Sequence, residues 1–486
     1  MTVAQEAYRI YVDGEWAEAA DGQTFVSVNP ANTDDVLGRF PDATAEDAER
    51  AIEAAHRAYP AWAATPPAKR SEVLLRAADL LERRAEALAR ELTREEGKVL
   101  AASRAEVKRA AATLRFYAME GLSFAGETLP SDDPHALVYT VHEPLGVVTV
   151  ITPWNFPLSI PARKIAPALV TGNTVVFKPA SDTPLMGLRL VEAFVEAGLP
   201  PGVLNLVTGS SRRVGLPLVA HPLVKAVTFT GSTAAGEAIH RAVALTTRTQ
   251  MELGGKNPLV VLDDADLDLA VDLAIKGGYE LTGQACTATS RVLVHRAVHD
   301  AFVEKLAAKT QALHIGSGLE EGVDLGPLAN GEQLETVLRY VRVGCEEGAT
   351  LVCGGERLSA PPYDKGYFVR PAVFAGVTPT MRIAREEIFG PVIAVIAVDS
   401  LEEALDVANG TDYGLSAAIV TRDVERAQRF ARGVQAGVVK VNRPTTGNAL
   451  NAPFGGVKKS STATYRESGR AALAFFTQTK TVYLGW

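Results

Sequence analysis

Between Gly146 and Thr230 the chain reads Gly146-Val-Val-Thr-Val-Ile151, then Thr174-Val-Val-Phe177, then Val203-Leu-Asn-Leu-Val207, then Ala226-Val-Thr-Phe-Thr230. Each run is short, apolar and rich in β-branched residues, and stretches with a helical pattern separate them. Strands that alternate with crossover helices lie parallel, because a parallel neighbour is out of reach of a tight turn. Runs that are apolar at nearly every position are covered by helices on both faces. The segment therefore predicts a doubly wound α/β sheet. Such sheets bind ligands in the crevice beyond the carboxyl ends of their strands.

Upstream, residues 44–117 read as helices. Thr44 and Asp47 have the spacing of a capping box. Pro66-Pro67 separates that helix from a long one ending near Glu96, with Gly97 as its stop, and a third helix runs through Phe116. The first 30 residues are short strands with turns at Asp13-Gly14 and Asn29-Pro30. Downstream, a second α/β region starts near Pro258, with strands expected at 259–262, 291–295, 372–374, 392–398, 417–420 and 437–441. Residues 447–461 read as a loop, and 477–484 as an exposed strand.

A chain of 486 residues exceeds one ordinary core, so two or three domains are expected. Its 49 Lys and Arg against 57 Asp and Glu leave a net charge of −8, which excludes a general binder of nucleic acid or anionic membrane. Three cysteines provide no disulfide framework and suit a reducing, cytoplasmic setting. Residues 1–10 lack a basic region followed by an apolar run, so no leader is expected. The uncharged window from Glu143 to Arg163 has the length of a membrane span, but Pro144, Pro153, Pro157 and Pro161 break it. It reads as a buried strand, a loop and a helix start.

Cys286 lies among small residues, Gly283-Gln-Ala-Cys-Thr287. That context suits a loop-to-helix junction, where backbone amides would lower the thiol pKa; the alternative is an inert buried thiol. Cys345 and Cys353 take the inert reading. Glu252 precedes Gly254-Gly255 and is a candidate general base or a plain surface carboxylate. Asn155, in Thr152-Pro-Trp-Asn-Phe-Pro157 after a predicted strand, offers an amide to an oxyanion; the alternative is a Pro-locked turn in which Trp154 and Phe156 only pack. Lys178 ends another strand. Gly231 and Ser232 open a helix in a phosphate-binding arrangement. Glu387 sits in Glu386-Glu-Ile-Phe-Gly-Pro391.

These motifs occur in one order: Pro-Trp-Asn-Phe-Pro, Lys-Pro-Ala-Ser, Phe-Thr-Gly-Ser, Glu-Leu-Gly-Gly-Lys, Gly-Gln-x-Cys, Glu-Glu-Ile-Phe-Gly-Pro-Val and Pro-Phe-Gly-Gly-x-Lys. The order resembles the aldehyde dehydrogenase superfamily over nearly the whole chain. The resemblance implies a cofactor-binding domain from 1–121 and 144–253, a catalytic domain from 254–453, and a small β oligomerisation element from 122–143 and 470–486. It also implies a homodimer or homotetramer and a small-molecule aldehyde as substrate. Cys286 would be the nucleophile, Asn155 the oxyanion donor and Glu252 the base that activates water. Trp154, Gly231 and Ser232 would meet the adenosine and pyrophosphate side of a nicotinamide cofactor, with Lys178, Ser181 and Leu253 beside them. Glu387 would bind the ribose on the nicotinamide side, packed by Phe389. Many NAD-specific relatives carry Glu where this chain has Ser181, which points to NADP, with NAD also used. No metal is expected.

Two loops, Val441-Asn-Arg-Pro-Thr-Thr-Gly447 and Lys458–Glu467, look like the branch that oxidises 2,5-dioxopentanoate; succinic or glutaric semialdehyde is the alternative. That branch implies a carboxylate held by Arg163 and Arg443, with Thr445 and Thr446 as further donors. From another class, a thiol hydrolase would pair its cysteine with a histidine, and neither His295 nor His299 has a catalytic-looking context. A silent relative would have lost Cys286 or Glu252.

Overall fold

The computed structural model describes residues 6–462 and 464–486. Residues 1–5, part of the segment read for a leader, and residue 463, in the 458–467 loop, lie outside the described residues. Two seven-stranded sheets dominate. The first runs Arg248–Glu252, Val224–Thr230, Val147–Ile151, Thr174–Lys178, Leu204–Leu206, Ile10–Val12 and Glu15–Ala17 in spatial order. Its first five strands are parallel, and the two N-terminal strands close one edge antiparallel. The chain moves outward from Val147–Ile151 in one direction, then returns to that strand's other side with Val224–Thr230. The point of reversal is a topological switch point, where a crevice opens.

Alternate residues of these strands enter opposite cores. Val148, Val150, Val175 and Phe177 pack under the N-terminal helices. Val147, Ile151, Val176 and Val227 pack on the other face. The second sheet is built alike, in the order Thr350–Cys353, Ala372–Ala375, Val392–Val398, Thr289–His295, Asn257–Val261, Ser416–Val420 and Val438–Val441. Only Thr350–Cys353 is antiparallel. Val260 and Leu293 face one core, and Leu259 and Val292 the other. The doubly wound α/β architecture expected from the apolar runs is the one observed.

The capping box at Thr44 forms: its hydroxyl accepts from the Asp47 N–H at 3.2 Å, and Asp47 accepts from the Thr44 N–H at 2.9 Å. The long helix expected after Pro67 is two, Pro67–Arg83 and Ala85–Glu96, because Arg84 leaves helical geometry. The third helix runs past Phe116, as Leu100–Ser123, and carries Gly121 in its last turn. The uncharged window becomes the strand Val147–Ile151, a loop and the helix Ser159–Val170. Among the described residues no helix is long and apolar enough to cross a membrane.

A third sheet stands apart. Thr477–Gly485 pairs along its whole length with Ala136–Pro144, and Thr128–Leu129 flanks the other side. The tail is thus an edge strand, and Leu137, Tyr483, Leu484 and Trp486 are exposed around it.

Candidate active site

Four parallel strands of the first sheet stop in register. Ile151 lies beside both Lys178 and Phe229, and Thr230 beside Glu252. Their following loops therefore start at one level and carry Trp154, Asn155, Ser181, Gly231 and Leu253. Five residues after Glu252, Asn257 begins a strand of the second sheet beside Thr289. The carboxyl edge of one sheet so faces the amino edge of the other, where Cys286 precedes Thr289–His295.

Two cavities meet at Cys286. One, of about 500 Å³, is lined by Trp154, Asn155, Lys178, Ser181, Gly231, Ser232, Leu253, Glu387 and Phe389. The other, of about 330 Å³, is lined by Arg109, Phe156, Arg163, Thr446, Asn448, Phe454 and others. No histidine lines either cavity.

Cys286 occupies a turn between the short 3₁₀ segment Glu280–Gly283 and a strand, so no helix starts at the thiol. The expected lowering of its pKa is absent. Burial pushes the thiol up to about 12, against the opposing charge of Arg163. The turn is pinned from behind: Asn257 Nδ2 donates to the carbonyls of Cys286 and Ala288, each at 2.9 Å. A Cβ on Gly255 would stand 2.6 Å from the Cys286 carbonyl, and one on Gly254 2.2 Å from Glu387 Oε2. Glycine at both positions lets the chain slip between the thiol's turn and that carboxylate.

Asn155 is buried, and its Nδ2 donates to the Gln284 carbonyl at 2.8 Å. A carbonyl only accepts, so this contact fixes which end of the amide is NH₂. The second N–H stays free. The Asn155 main chain is held by Lys98, whose Nζ donates to its carbonyl at 2.6 Å and to Glu106 Oε2 at 2.7 Å. Lys98 was invisible in the sequence reading, since a lysine after a helix-stopping glycine looks like a surface residue.

Glu252 is 2% exposed. Oε1 accepts from Gln250 at 3.0 Å, and Oε2 has no partner. Desolvation, with the charge of Glu467, pushes its pKa well above the usual carboxylate range. Glu467 is buried with it, 3.0 Å from Arg163 Nη2 and 2.7 Å from Lys164 Nζ. Burial opposes its charge, but Arg163 and Lys164 hold it below the ordinary value. Lys164 and Glu467 were also missed. Two adjacent cations ending an uncharged run were the available signal, because a buried cation needs a buried acid.

The larger cavity fits an elongated, anionic, polar group. Thr152 Oγ1 and Thr230 Oγ1 are buried on its wall without partners. Lys178 is buried, its Nζ meets only the Pro179 carbonyl, at 3.2 Å, among the described residues, and desolvation lowers its pKa to about 8. The helix Thr233–Ala242 starts at the same wall. Ser232 caps that helix, accepting from Ala235 N at 3.3 Å, and its own O–H remains a donor to an anion alongside the neighbouring amides. Glu387 accepts from Gly255 N at 2.8 Å, and burial raises its pKa to about 7. Trp154 and Phe389 meet edge to face at 5.3 Å.

Arg443 is a correction. The chain turns at Asn442, which has φ 53° and is tied to Thr421, and Arg443 emerges exposed, outside the lining of either cavity. Thr445 spends its hydroxyl on the Thr287 carbonyl at 2.7 Å. Arg163 and Thr446 do line the smaller cavity.

A thiol between two cavities, with a free amide N–H on the wall of the larger one, is equipped for covalent catalysis at a carbonyl carbon. The aldehyde dehydrogenase family model matches residues 16–482, and the chain belongs to that family. It is 48% identical to the alpha-ketoglutaric semialdehyde dehydrogenase of Bacillus subtilis, over 99% of this chain and 98% of that one. It is 46% identical to the 2,5-dioxopentanoate dehydrogenase of Saccharolobus solfataricus, over 97% and 98%. Among solved structures, betaine aldehyde dehydrogenase from Staphylococcus aureus in complex with NAD+ aligns with a TM-score of 0.95 at 37% identity, covering 98% of this chain and 94% of that one.

Proposed function

We propose that the protein oxidises 2,5-dioxopentanoate to 2-oxoglutarate on Cys286, with NADP preferred and NAD also used. The meeting of the two cavities at one thiol carries this reading, and the names of the two semialdehyde-oxidising relatives support its substrate. The Cys286 thiol, pushed up to about 12 by burial, releases its proton to solvent as its sulfur bonds to the aldehyde carbon. The oxygen, now anionic, accepts the free N–H of Asn155. A nicotinamide dinucleotide, when bound in the larger cavity, supplies the two-electron acceptor for hydride. Trp154, Lys178, Ser181, Gly231, Ser232, Leu253, Glu387 and Phe389 would hold it. The carbon is then left on Cys286 as a thioester. Glu252 takes a proton from water, the hydroxide adds to the thioester, and the thiolate leaves with the carboxylate product released.

The cofactor preference rests on Ser181, whose hydroxyl donates to the Gly209 carbonyl at 3.0 Å and brings no negative charge to the cavity wall. A Glu there would repel a 2′-phosphate. The protein is read as a cytoplasmic homodimer or homotetramer; three unpaired cysteines and an open edge strand support this. Following absorbance at 340 nm with 2,5-dioxopentanoate, succinic and glutaric semialdehydes and uncharged aldehydes, each with NADP and NAD, tests it. The first substrate with NADP should give the highest kcat/KM. An uncharged aldehyde ahead of all three, or NAD ahead by tenfold, about 1.4 kcal/mol, would overturn the corresponding half.

A further inference from the structure

The helix Leu100–Ser123 turns one face to the smaller cavity, with Ala102, Ala105, Glu106 and Arg109 on it. That spacing is one stripe of a helix. The two alanines leave room. Glu106 is fully engaged: Oε2 takes Lys98 at 2.7 Å, and Oε1 takes the backbone N–H of Leu158 at 3.0 Å and Ser159 at 3.1 Å. Arg109 is not engaged. Its Nη2 is shut off from solvent without a partner, and its side chain makes no ion pair among the described residues.

Arg109 also has a like charge for a neighbour. Arg163 lines the same cavity and spends Nη2 on Glu467, a carboxylate that Lys164 shares, while its Nε is buried without a partner. A third unpartnered buried atom on this lining is Asn448 Nδ2. All three are donors, and among the described residues no buried unpartnered acceptor joins them on this lining. Glu280 also lines this cavity but is exposed, so its charge faces water. The remaining wall is largely apolar: Phe156, Ile160, Leu281, Ala285 and Phe454. Buried donors without acceptors are costly unless a ligand brings the acceptors.

We propose that Arg109 is the specificity-determining residue that binds the carboxylate of a short dicarboxylic semialdehyde, assisted by Asn448 Nδ2 and Arg163 Nε, a role that rests on the carboxylate-bearing substrate proposed above. Arg109 takes the place the sequence reading assigned to Arg443. The guanidinium grips two carboxylate oxygens in one plane, and the apolar wall holds the methylenes that lead to the Cys286 sulfur.

The test compares wild type with Arg109→Met, which keeps an unbranched stem and loses the charge, and with Arg109→Lys. Glutarate serves as a probe that carries the carboxylate but no aldehyde, measured as a competitive inhibitor of pentanal oxidation. Wild type should be inhibited, Arg109→Met should need about 30-fold or more glutarate, and Arg109→Lys should fall between. The ratio of kcat/KM for glutaric semialdehyde to that for pentanal should fall by a similar factor in Arg109→Met, mainly through KM. If glutarate fails to compete in wild type, or competes equally in Arg109→Met, the role of Arg109 is overturned whatever the substrates prove to be. If glutarate binding depends on Arg109 but wild type oxidises pentanal better than every semialdehyde, the Arg109 site stands and the proposed substrate falls.

Discussion

At the scale of single residues, the site works through charges kept out of water. Cys286→Ala should abolish turnover while the enzyme still binds the dinucleotide, as read by quenching of Trp154 and its neighbours. More than a trace of activity would remove Cys286 from its proposed role. Glu252→Gln should release one equivalent of reduced cofactor per site in a burst and then stall with an acyl group on the enzyme, detectable by mass; steady turnover without a burst would count against it. The raised pKa of Glu252 sets a pH dependence. The base must be ionised, so kcat falls as pH drops through that raised value. Glu467 is one cause of the rise, and removing its charge lowers the pKa of Glu252. Glu467→Gln should therefore move the acid limb of kcat to lower pH, and a limb that stays put or moves up would show that the two carboxylates do not sense each other. The limb reports the pair rather than either group.

At the scale of elements, one buried lysine joins the N-terminal helices to the loop that carries Asn155. Lys98 is closed off from solvent, 3.7 Å from Glu96 and 2.7 Å from Glu106. Lys98→Met strands two buried carboxylates and should cost about 3–5 kcal/mol of stability. Urea denaturation measures it, and a loss under about 1 kcal/mol would show that the acids neutralise themselves without cost. Most strands of the two large sheets were legible because each is a short apolar run, but Glu15–Ala17 and Arg248–Glu252, which carry charged and polar side chains, were not. The edge strand Thr350–Cys353 and the break at Arg84 were not, since half-exposed residues and a single turned backbone leave no pattern. In the site, Cys286, Asn155 and Glu252 were legible through their order along the chain. Lys98, Lys164, Glu467 and Arg109 were not. A charged residue carries no local mark of being buried, and the partner that makes burial tolerable lies far away in sequence.

At the scale of the whole molecule, the tail Thr477–Gly485 covers the strand Ala136–Pro144 and leaves its own outer edge open. An exposed edge with Tyr483, Leu484 and Trp486 beside it invites pairing with another chain. Wild type should sediment as a dimer or tetramer, and a chain ending at residue 476 as a smaller or aggregated species. A monomeric wild type would refute the assembly. Shortly before that tail comes Glu467, which pairs with Arg163 and Lys164, and Ser461, which bridges to Glu252. During synthesis, then, a ribosome releases Cys286 and Glu252 well before the segment that carries the acid for Arg163 and Lys164 and the bridge to Glu252. A chain interrupted after the second sheet carries the reactive groups with two cations lacking their acid, and the base without its cover. A chain ending before Ser461 should therefore turn over no aldehyde, which absorbance at 340 nm checks.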